Sequence, residues 1–570
     1  MQLTRRLALA LVPLLALPLR GAPAQAAAEP LLPELEAGYS DDPALIKLLE
    51  LGATDNRVEE PLRYLTQRIG PRLTGSTNLQ RACDWAVARF AALGLDARLE
   101  RWGEVPVGFD RHAWRGGMVA PEVIDYEFVT HAWTPGTPGP LRGPARLYPR
   151  SIAELEERAG ELRGAWIVRR LRADMPSMDD RRAIERRLIE LGVAGEVRSG
   201  GTELLITGGS HDVDPAAPPR LVSIRMLEAP FLDLLNRLEA SAAVELEFDV
   251  DNRFLPGPIP QYNVIADLKG AELPDEYVFV GGHLDSWDGA QGAQDNGTGV
   301  ATTMEAARLL VAAGAKPRRT IRFVLWTGEE QGLLGSSAYV AAHPELMPQI
   351  SAVLIHDGGT NYLSGISGPP GLLPDLERAF RPLVHLTPEM PFEVQGNQGL
   401  PRMGGSDHVP FVRAGVPGFF WRQSGDTSYD FVHHTQHDVL ENVRQDYQRH
   451  SAVVVAVGAY NLARLEGLLD RTNLLAPEPR RLGVFLEETT VTGFGEGTGK
   501  AKEAGWREGD VVLKVDGAAV ATRDELVAAL QGGPDRKVFV LKRGAEELET
   551  VIDWGAAPPP AEPPAEPAGG

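Results

Sequence analysis

Residues 277–300 read YVFVGGHLDSWDGAQGAQDNGTGV, an apolar strand followed by a polar loop and the start of a helix. The helix continues with apolar residues at Val300, Met304 and Val311. Further along, the apolar runs Ile321–Trp326 and Ala352–Ile355 alternate with helical stretches to about residue 475. Such alternation predicts an α/β fold, in which a mainly parallel sheet carries helices on both faces.

Acidic and imidazole side chains follow the first strand of this pattern. His283 and Asp285 come directly after it, and Asp295 precedes the helix. Open α/β sheets bind their ligands at this edge. A metal-binding histidine usually has an oriented carboxylate behind it, and Asp285 is placed to supply one. His-x-Asp alone is a weak signal.

Three more segments have the same character. LWTGEEQG ends a strand with Glu329 and Glu330, and Asp357 follows the strand after it. FVHHTQHD, at residues 431–438, contains His433 and His434. Adjacent carboxylates repel each other, but a metal can take one while the other accepts a proton from water. A plain surface loop is an equal alternative for the glutamate pair taken alone.

Taken together, these segments supply two histidines and three carboxylates for metal binding, donors that suit two divalent ions, most readily zinc. A bridging carboxylate and a bridging water would let the ions polarise a carbonyl and lower the pKa of the water. The chemistry indicated is amide hydrolysis without a covalent intermediate.

The motifs GGHLDSWDGAQGAQDNGTGV, RFVLWTGEEQG and HHTQHD resemble the di-zinc exopeptidase family of secreted leucine aminopeptidases and carboxypeptidase Q. The resemblance spans roughly residues 60–470. It implies two Zn²⁺ ions per chain, with Asp295 bridging them, Glu329 as the general base and a cis peptide bond after Asp295. The ligands that it implies are His283, Asp295, Glu330, Asp357 and His434.

Other polar residues near these motifs have two readings each. His433 could donate to the oxyanion of the reaction or pack behind its neighbour. The segment GGSDHVPF resembles the family's pocket wall, which makes Ser406, Asp407 and His408 candidates for pocket support. A turn held by side-chain hydrogen bonds explains these three equally well.

The remaining chain is predicted to form further domains. Residues 27–118 are the first part of the catalytic domain, and 253–475 are its main part. Residues 119–252 form an insertion that resembles an α/β protease-associated domain. Residues 480–555 resemble a small, mostly β PDZ domain, which could bind a peptide or a protein C-terminus or pack with its groove covered.

The N-terminal segment indicates an exported protein. Residues 1–26 combine Arg5 and Arg6 with an apolar run and a small-residue site, as in a signal peptide, by either the general or the twin-arginine route. After its removal we expect no membrane span, and a periplasmic or secreted location. Residues 556–570 are rich in proline and predicted to be disordered. The net charge of −21 argues against nucleic acid as a partner.

These observations lead to one principal expectation and two alternatives. The principal one is an aminopeptidase or dipeptidase that acts on small unblocked peptides. A carboxypeptidase or another amide hydrolase could use the same ions, because the ligands fix the chemistry and leave the pocket unspecified. The second alternative is a metal-free binding or receptor-like protein, although such a protein would not need the complete set of metal ligands and the general base. A homodimer is expected by analogy with the family.

Overall fold

The computed structural model describes residues 42–171, 175–384, 386–476, 480–495, 499–531 and 534–555. The predicted signal peptide (1–26) and disordered tail (556–570) lie outside these ranges. The chain divides into two compact units, Met1–Leu475 and Ala476–Gly570. Among the described residues, no helix is both long enough and apolar enough to cross a membrane.

The first unit alternates helices and strands. Its helices are α1 (Pro43–Thr54), α2 (Glu59–Tyr64), α3 (Thr77–Ala92), α4 (Ile152–Glu157), α5 (Ala159–Leu162), α6 (Met178–Leu191), α7 (Glu228–Glu239), α8 (Thr298–Ala312), α9 (Leu334–Ala342), α10 (Leu373–Phe380), α11 (His408–Arg413), α12 (Tyr429–Val432) and α13 (Gln445–Ala463). Its strands are β1 (Asp96–Ala120), β2 (Ile124–Asp125), β3 (Phe128–Val129), β4 (Leu141–Leu147), β5 (Trp166–Val168), β6 (Gly195–Gly201), β7 (Ser223–Leu227), β8 (Glu245–Leu268), β9 (Leu273–His283), β10 (Arg319–Trp326), β11 (Ile350–Ile355), β12 (Tyr362–Gly368), β13 (Glu393–Gly396), β14 (Gly418–Phe420) and β15 (Arg422–Ser424).

Twelve strands of the described part form one mixed sheet, in the order β14-β11-β9-β10-β8-β4-β5-β6-β7-β3, with β1 on β8 and β2 on β1. At the end that carries the predicted site, β9 pairs in parallel with β10 and β11, and β11 with β14. The next strand, β8, runs antiparallel to β10. The expected α/β fold is therefore confirmed, with parallel pairing around β9 and antiparallel pairing beyond β10.

Helices cover both faces of the sheet, as predicted. The side chains of β9 show this, because successive residues pack into cores on opposite faces. Val278 and Val280 pack into the larger apolar core, which includes residues of α8 and α13. Phe279 points to the other face and packs with Tyr339 of α9 and Phe411 of α11. Successive strand side chains point to opposite faces, so a strand covered on both sides is apolar at every position.

The inserted region is joined to the catalytic part by a ribbon of two strands. β1 and β8 pair antiparallel from Asp96 opposite Asp267 to Ala120 opposite Glu245. The boundaries predicted at 118/119 and 252/253 fall inside these two strands.

The second unit has its own sheet and core. The strands β16 (Val484–Glu487), β17 (Thr490–Phe494), β18 (Val511–Val515), β19 (Ala518–Ala519), β20 (Arg536–Arg543) and β21 (Glu546–Asp553) are joined by α14 (Lys500–Glu503) and α15 (Arg523–Gln531). Trp506, Leu526 and Phe539 are buried in its centre. A small, mostly β unit was expected here; its assignment as a PDZ domain stays a prediction.

Candidate metal centre

The predicted site residues lie where neighbouring strands end. His283 is the last residue of β9, Glu329 and Glu330 lie in the turn after β10, and Asp357 follows β11 by two residues. These strands are parallel, so their carboxyl ends lie at the same edge of the sheet. Two other segments complete the site, the turn Ala293–Gly297 before α8 and the loop that follows α12.

Six side chains converge there, and we call them the carboxylate-histidine ring. The ring consists of His283, Asp295, Glu329, Glu330, Asp357 and His434. His283 Nε2 lies 3.1 Å from Asp295 Oδ1 and 3.1 Å from Asp357 Oδ1. On the other side, His434 Nε2 lies 3.2 Å from Asp295 Oδ2 and 3.0 Å from Glu330 Oε2. One carboxylate, that of Asp295, therefore contacts both histidines through its two oxygens.

Burial and charge shift the proton affinities of the ring. Burial would lower the pKa of His283, but the carboxylates of Asp357 and Glu329 outweigh it and hold that pKa well above the usual value. The pKa of His434 is raised to about 10 by its hydrogen bonds to Asp295 and Glu330, against the effect of burial. Burial, with the charge of Asp295, raises the pKa of Glu330 to about 8.

Glu329 differs from its neighbour in position. Its nearest approach to a ring histidine is 4.0 Å, from Oε2 to His283 Nε2. Burial is the main cause that raises its pKa well above the usual value. A buried carboxylate with a raised pKa, next to the ring's donors, has the properties of a proton acceptor.

Asp285 stands behind the ring, and its contacts differ in detail from the expectation. His283 Nδ1 lies 3.0 Å from the backbone oxygen of Asp285 and 3.7 Å from its carboxylate. The carboxylate instead accepts hydrogen bonds from Thr74 Oγ1 at 2.8 Å and from the backbone N–H of Glu329 at 3.3 Å. Asp285 thus links the turn of Glu329 to the strand end of His283.

Two buried residues that sequence reasoning missed hold the loops of the site. Arg72 is fully buried and donates to the backbone oxygens of Leu284 at 2.7 Å and Gly292 at 2.7 Å. Asp438 accepts the backbone N–H groups of Gln294 at 2.6 Å and of Asp295 at 3.3 Å. Asp438 is the last residue of the HHTQHD motif, whereas Arg72 lies outside the motifs quoted above. A single arginine in a turn and a single aspartate after a histidine motif are common in proteins, so neither residue type gave a specific signal.

The peptide bond between Asp295 and Asn296 is cis, as the resemblance implied. The Asn296 side chain donates to the backbone oxygen of His356 at 2.8 Å and accepts the N–H of Gly299 at 3.0 Å. These contacts fix the turn of Asp295 between α8 and the end of β11.

The inserted region also reaches the ring. Thr207 donates its backbone N–H at 2.8 Å and its hydroxyl at 3.1 Å to the backbone oxygen of His434. His434 has a positive φ of 57°, a conformation that residues other than glycine seldom adopt. Close by, Leu205 N–H donates to Gln436 Oε1 at 2.8 Å. The segment around Thr207 therefore holds the backbone of a ring histidine in its conformation.

We expect Thr207→Val to weaken metal binding by about tenfold, since groups that orient a metal ligand typically contribute about 10–100-fold. The valine keeps the backbone N–H and loses the hydroxyl that contacts His434. Affinity for zinc would be measured by competition with a chromogenic chelator. Thr207→Ser is the matched control and should bind as the wild type does. Equal affinities in all three proteins would show that the hydroxyl does not support His434.

The remaining candidates lie around the ring. His433 Nε2 is 3.9 Å from Asp295 Oδ2, and its side chain is 41% exposed. It stacks on Tyr429 with a centroid separation of 4.6 Å, so it borders the site and packs at the same time. Ser406, Asp407 and His408 are buried. Burial raises the pKa of Asp407 to about 7.

The donor chemistry of the ring fits divalent metal ions. Four carboxylates and two imidazoles meet within a few ångströms, and the charge that they share calls for a cation. Ligand atoms of His283, Asp295 and Glu330 lie within 4.8 Å of one another, as do those of Asp295, His433 and His434. Asp295 belongs to both groups, as a bridging ligand would.

Comparisons with known proteins agree with this chemistry. Residues 263–458 match Peptidase family M28. Carboxypeptidase Q of Rattus norvegicus is 29% identical over 459 residues, which cover 76% of this chain and 92% of that protein. An aminopeptidase of Pseudomonas aeruginosa (strain UCBPP-PA14) is 33% identical over 32% of this chain and 38% of its own length. The crystal structure of a peptidase M28 precursor from Shewanella amazonensis SB2B is similar with a TM-score of 0.55 at 25% identity, covering 76% of this chain and 98% of that one.

The fold and the carboxylate-histidine ring together define the class, which is that of the metallo-exopeptidases. Within that class, the match to peptidase family M28 lies over residues 263–458, the part of the chain that carries the ring.

Proposed function

We propose that the protein is an exported exopeptidase that binds two zinc ions in the carboxylate-histidine ring and removes the N-terminal residue of small unblocked peptides. The observation that carries the proposal is the position of Asp295, whose two carboxylate oxygens each contact a different histidine of the ring. A carboxylate between two sets of donors is the arrangement that two neighbouring ions require.

Each residue of the ring has one role in this proposal. His283 and Asp357 would hold one ion, His434 and Glu330 would hold the other, and Asp295 would contribute to both sites. Bound zinc supplies Lewis acidity toward the scissile carbonyl and makes the attacking water more acidic. Glu329 takes a proton from that water and delivers it to the nitrogen of the leaving amine. Asp285 holds the backbone of Glu329 and the imidazole of His283 in position relative to each other.

The proposal is tested by zinc content together with hydrolysis of free and blocked dipeptides. About two zinc ions per chain, and chelator-sensitive cleavage of free but not of N-acetylated dipeptides, are the expected results. Cleavage of acetylated and free dipeptides at equal rates would favour a carboxypeptidase, the activity in the name of the rat relative. Absence of both zinc and turnover would favour a binding protein.

Zinc affinity is expected to fall by about tenfold or more for each pH unit between pH 7.5 and pH 6. The pKa values of Glu330 and His434 in the metal-free ring are raised to about 8 and about 10, so both groups carry a proton in this range. Zinc must displace those protons, and lower pH favours the protons. Calorimetric titration in two buffers of different ionisation enthalpy measures their release. A release of zero protons at pH 7 would contradict the prediction.

The second unit enters the proposal as an accessory. We propose that it takes up an extended peptide or a protein C-terminus along a strand edge, as PDZ domains do. A binding measurement with the full chain and C-terminal peptides, free and amidated, would test this role.

A further inference from the structure

Two arginines of the inserted region form no ion pair with a carboxylate of the described residues. Arg198 on β6 and Arg225 on β7 are directly paired in a parallel register. The Nε atom of each is buried and has no hydrogen-bond partner among the described residues. Arginine stays protonated in proteins, so the two guanidinium groups place two positive charges side by side.

The nearest carboxylate is already engaged. Glu196 Oε2 accepts a hydrogen bond from Arg169 Nε at 2.5 Å, and Glu196 Oε1 accepts one from Ser223 Oγ at 2.7 Å. Burial and the charge of Arg198 lower the pKa of Arg225 to about 10. Partly buried positive charges without partners are costly, and a bound anion would offset that cost.

A histidine completes the cluster. Burial is the main cause that lowers the pKa of His131 to about 4, and the charges of Arg225 and Arg198 lower it further. His131 is therefore neutral near pH 7 and can donate one ring N–H to an acceptor. We call Arg198, Arg225 and His131 the basic cluster.

The basic cluster lies beside the segment that leads to the metal centre. A Cβ atom at Gly200 would lie 3.0 Å from Leu205 Cδ2 and 3.2 Å from Arg225 Cβ. A Cβ atom at Gly208 would lie 3.8 Å from His131 Nε2. Thr207, between those two positions, donates to the backbone of His434. Residues 200–208, which we call the Thr207 segment, thus lie beside the cluster and contact the carboxylate-histidine ring within nine residues.

A second connection runs through Arg111. Its side chain is 2% exposed and donates to Asp288 Oδ2 at 2.9 Å, in the loop between His283 and Asp295. It also donates to the backbone oxygen of Thr130, next to His131, at 2.9 Å. Two independent chains of contacts therefore join the basic cluster to the walls of the metal centre.

We propose that the basic cluster binds a carboxylate group of the peptide substrate, on the C-terminal side of the bond that is cut. Guanidinium groups are well suited to carboxylates, which they bind through paired, charge-assisted hydrogen bonds. The Thr207 segment contacts His434 at one end and lies beside the cluster at the other, so a peptide that leaves the ring along this segment approaches the cluster. The carboxylate is either the free C-terminus or the side chain of an Asp or Glu. This inference rests on the proposed peptidase function.

The wild-type enzyme gives the first test. We expect the KM of Leu-Gly-Gly to be about tenfold lower than that of its C-terminal amide, as one charge-assisted contact allows. If the cluster binds acidic side chains instead, the difference will appear between the amides of Leu-Gly-Glu and Leu-Gly-Gln. Equal KM values within both pairs overturn the subsite and leave the peptidase function intact. Hydrolysis of none of the four peptides overturns both.

Variants of the two arginines then test whether the difference in KM between acid and amide arises from the basic cluster. Arg225→Gln and Arg198→Gln should each bring the KM of the preferred acid to within about twofold of its amide. Arg237→Gln, which removes a partly exposed arginine of α7 that pairs with Asp233, is the matched control and should keep the full difference. Thermal unfolding checks that each variant is folded. If Arg225→Gln is not folded, Arg225→Lys replaces it, because lysine retains the charge and loses the paired hydrogen bonds of the guanidinium group. A full acid-to-amide difference in folded variants of both arginines would overturn the assignment.

Discussion

Glu329→Ala is expected to keep its zinc and to lose about 10²–10⁴-fold in kcat, the range that a general base contributes. The carboxylate of Glu329 stands 4.0 Å from the nearest ring nitrogen, while Glu330 lies 3.0 Å from His434. Removing Glu329 should therefore leave the metal ligands in place and take away the proton acceptor. Metal analysis and steady-state kinetics on a free dipeptide measure the two effects separately.

The adjacent glutamate provides the matched control. Glu330→Ala removes a carboxylate from the same turn and should lower zinc content as well as turnover. The two variants thus differ in metal retention, although their positions are consecutive. If Glu329→Ala turned over the dipeptide at the wild-type rate, Glu329 would have no part in proton transfer.

Asp295→Ala is expected to remove both zinc ions and to abolish measurable hydrolysis. Among the described residues, its carboxylate is the one that contacts both His283 and His434, and its backbone N–H donates to Asp438. Loss of this carboxylate leaves each half of the ring short of a ligand. Atomic emission analysis of dialysed protein would give the zinc content, with about two ions expected in the wild type and none in the variant.

A destabilised protein could also lose metal, so a structural carboxylate is needed for comparison. Asp267 forms an ion pair with Arg322, from Oδ1 to Nε at 2.7 Å, on the same sheet but away from the ring. Asp267→Asn should lower the unfolding temperature and retain zinc. Retention of both ions in Asp295→Ala would mean that the ring does not share this ligand.

Much of the metal centre could be predicted because of where its residues fall in the chain. His283, Glu330 and Asp357 each follow an apolar run, and parallel strands bring such positions to one edge. Local sequence was sufficient for them. Arg72 and Thr207 could not be found in this way, because each acts on a backbone more than 200 residues away, through hydrogen bonds that no short motif encodes.

The fold also has parts that local sequence predicts and parts that depend on distant contacts. Alternating apolar runs predicted the strands around β9 and the helices on both faces, since periodicity is a local property. The division into a catalytic part and an insertion was placed at residues 118 and 252, yet β1 and β8 continue across both points. A strand's partner decides how far the strand extends, and that partner lies about 150 residues away.

The β1–β8 ribbon limits how this architecture can be recombined. A domain carried on two flexible loops can be exchanged between relatives by cutting at the loops. Here a chimaera needs its two junctions at residues that face each other across the ribbon, such as Asp110 and Arg253, so that both strands of the donor stay in register. Natural gene exchange meets the same constraint, and the paired junctions lie 143 positions apart in the sequence. Viable hybrids should therefore change parent at facing positions of both strands, and the far part of the ribbon should come from the same parent as the Thr207 segment that it carries.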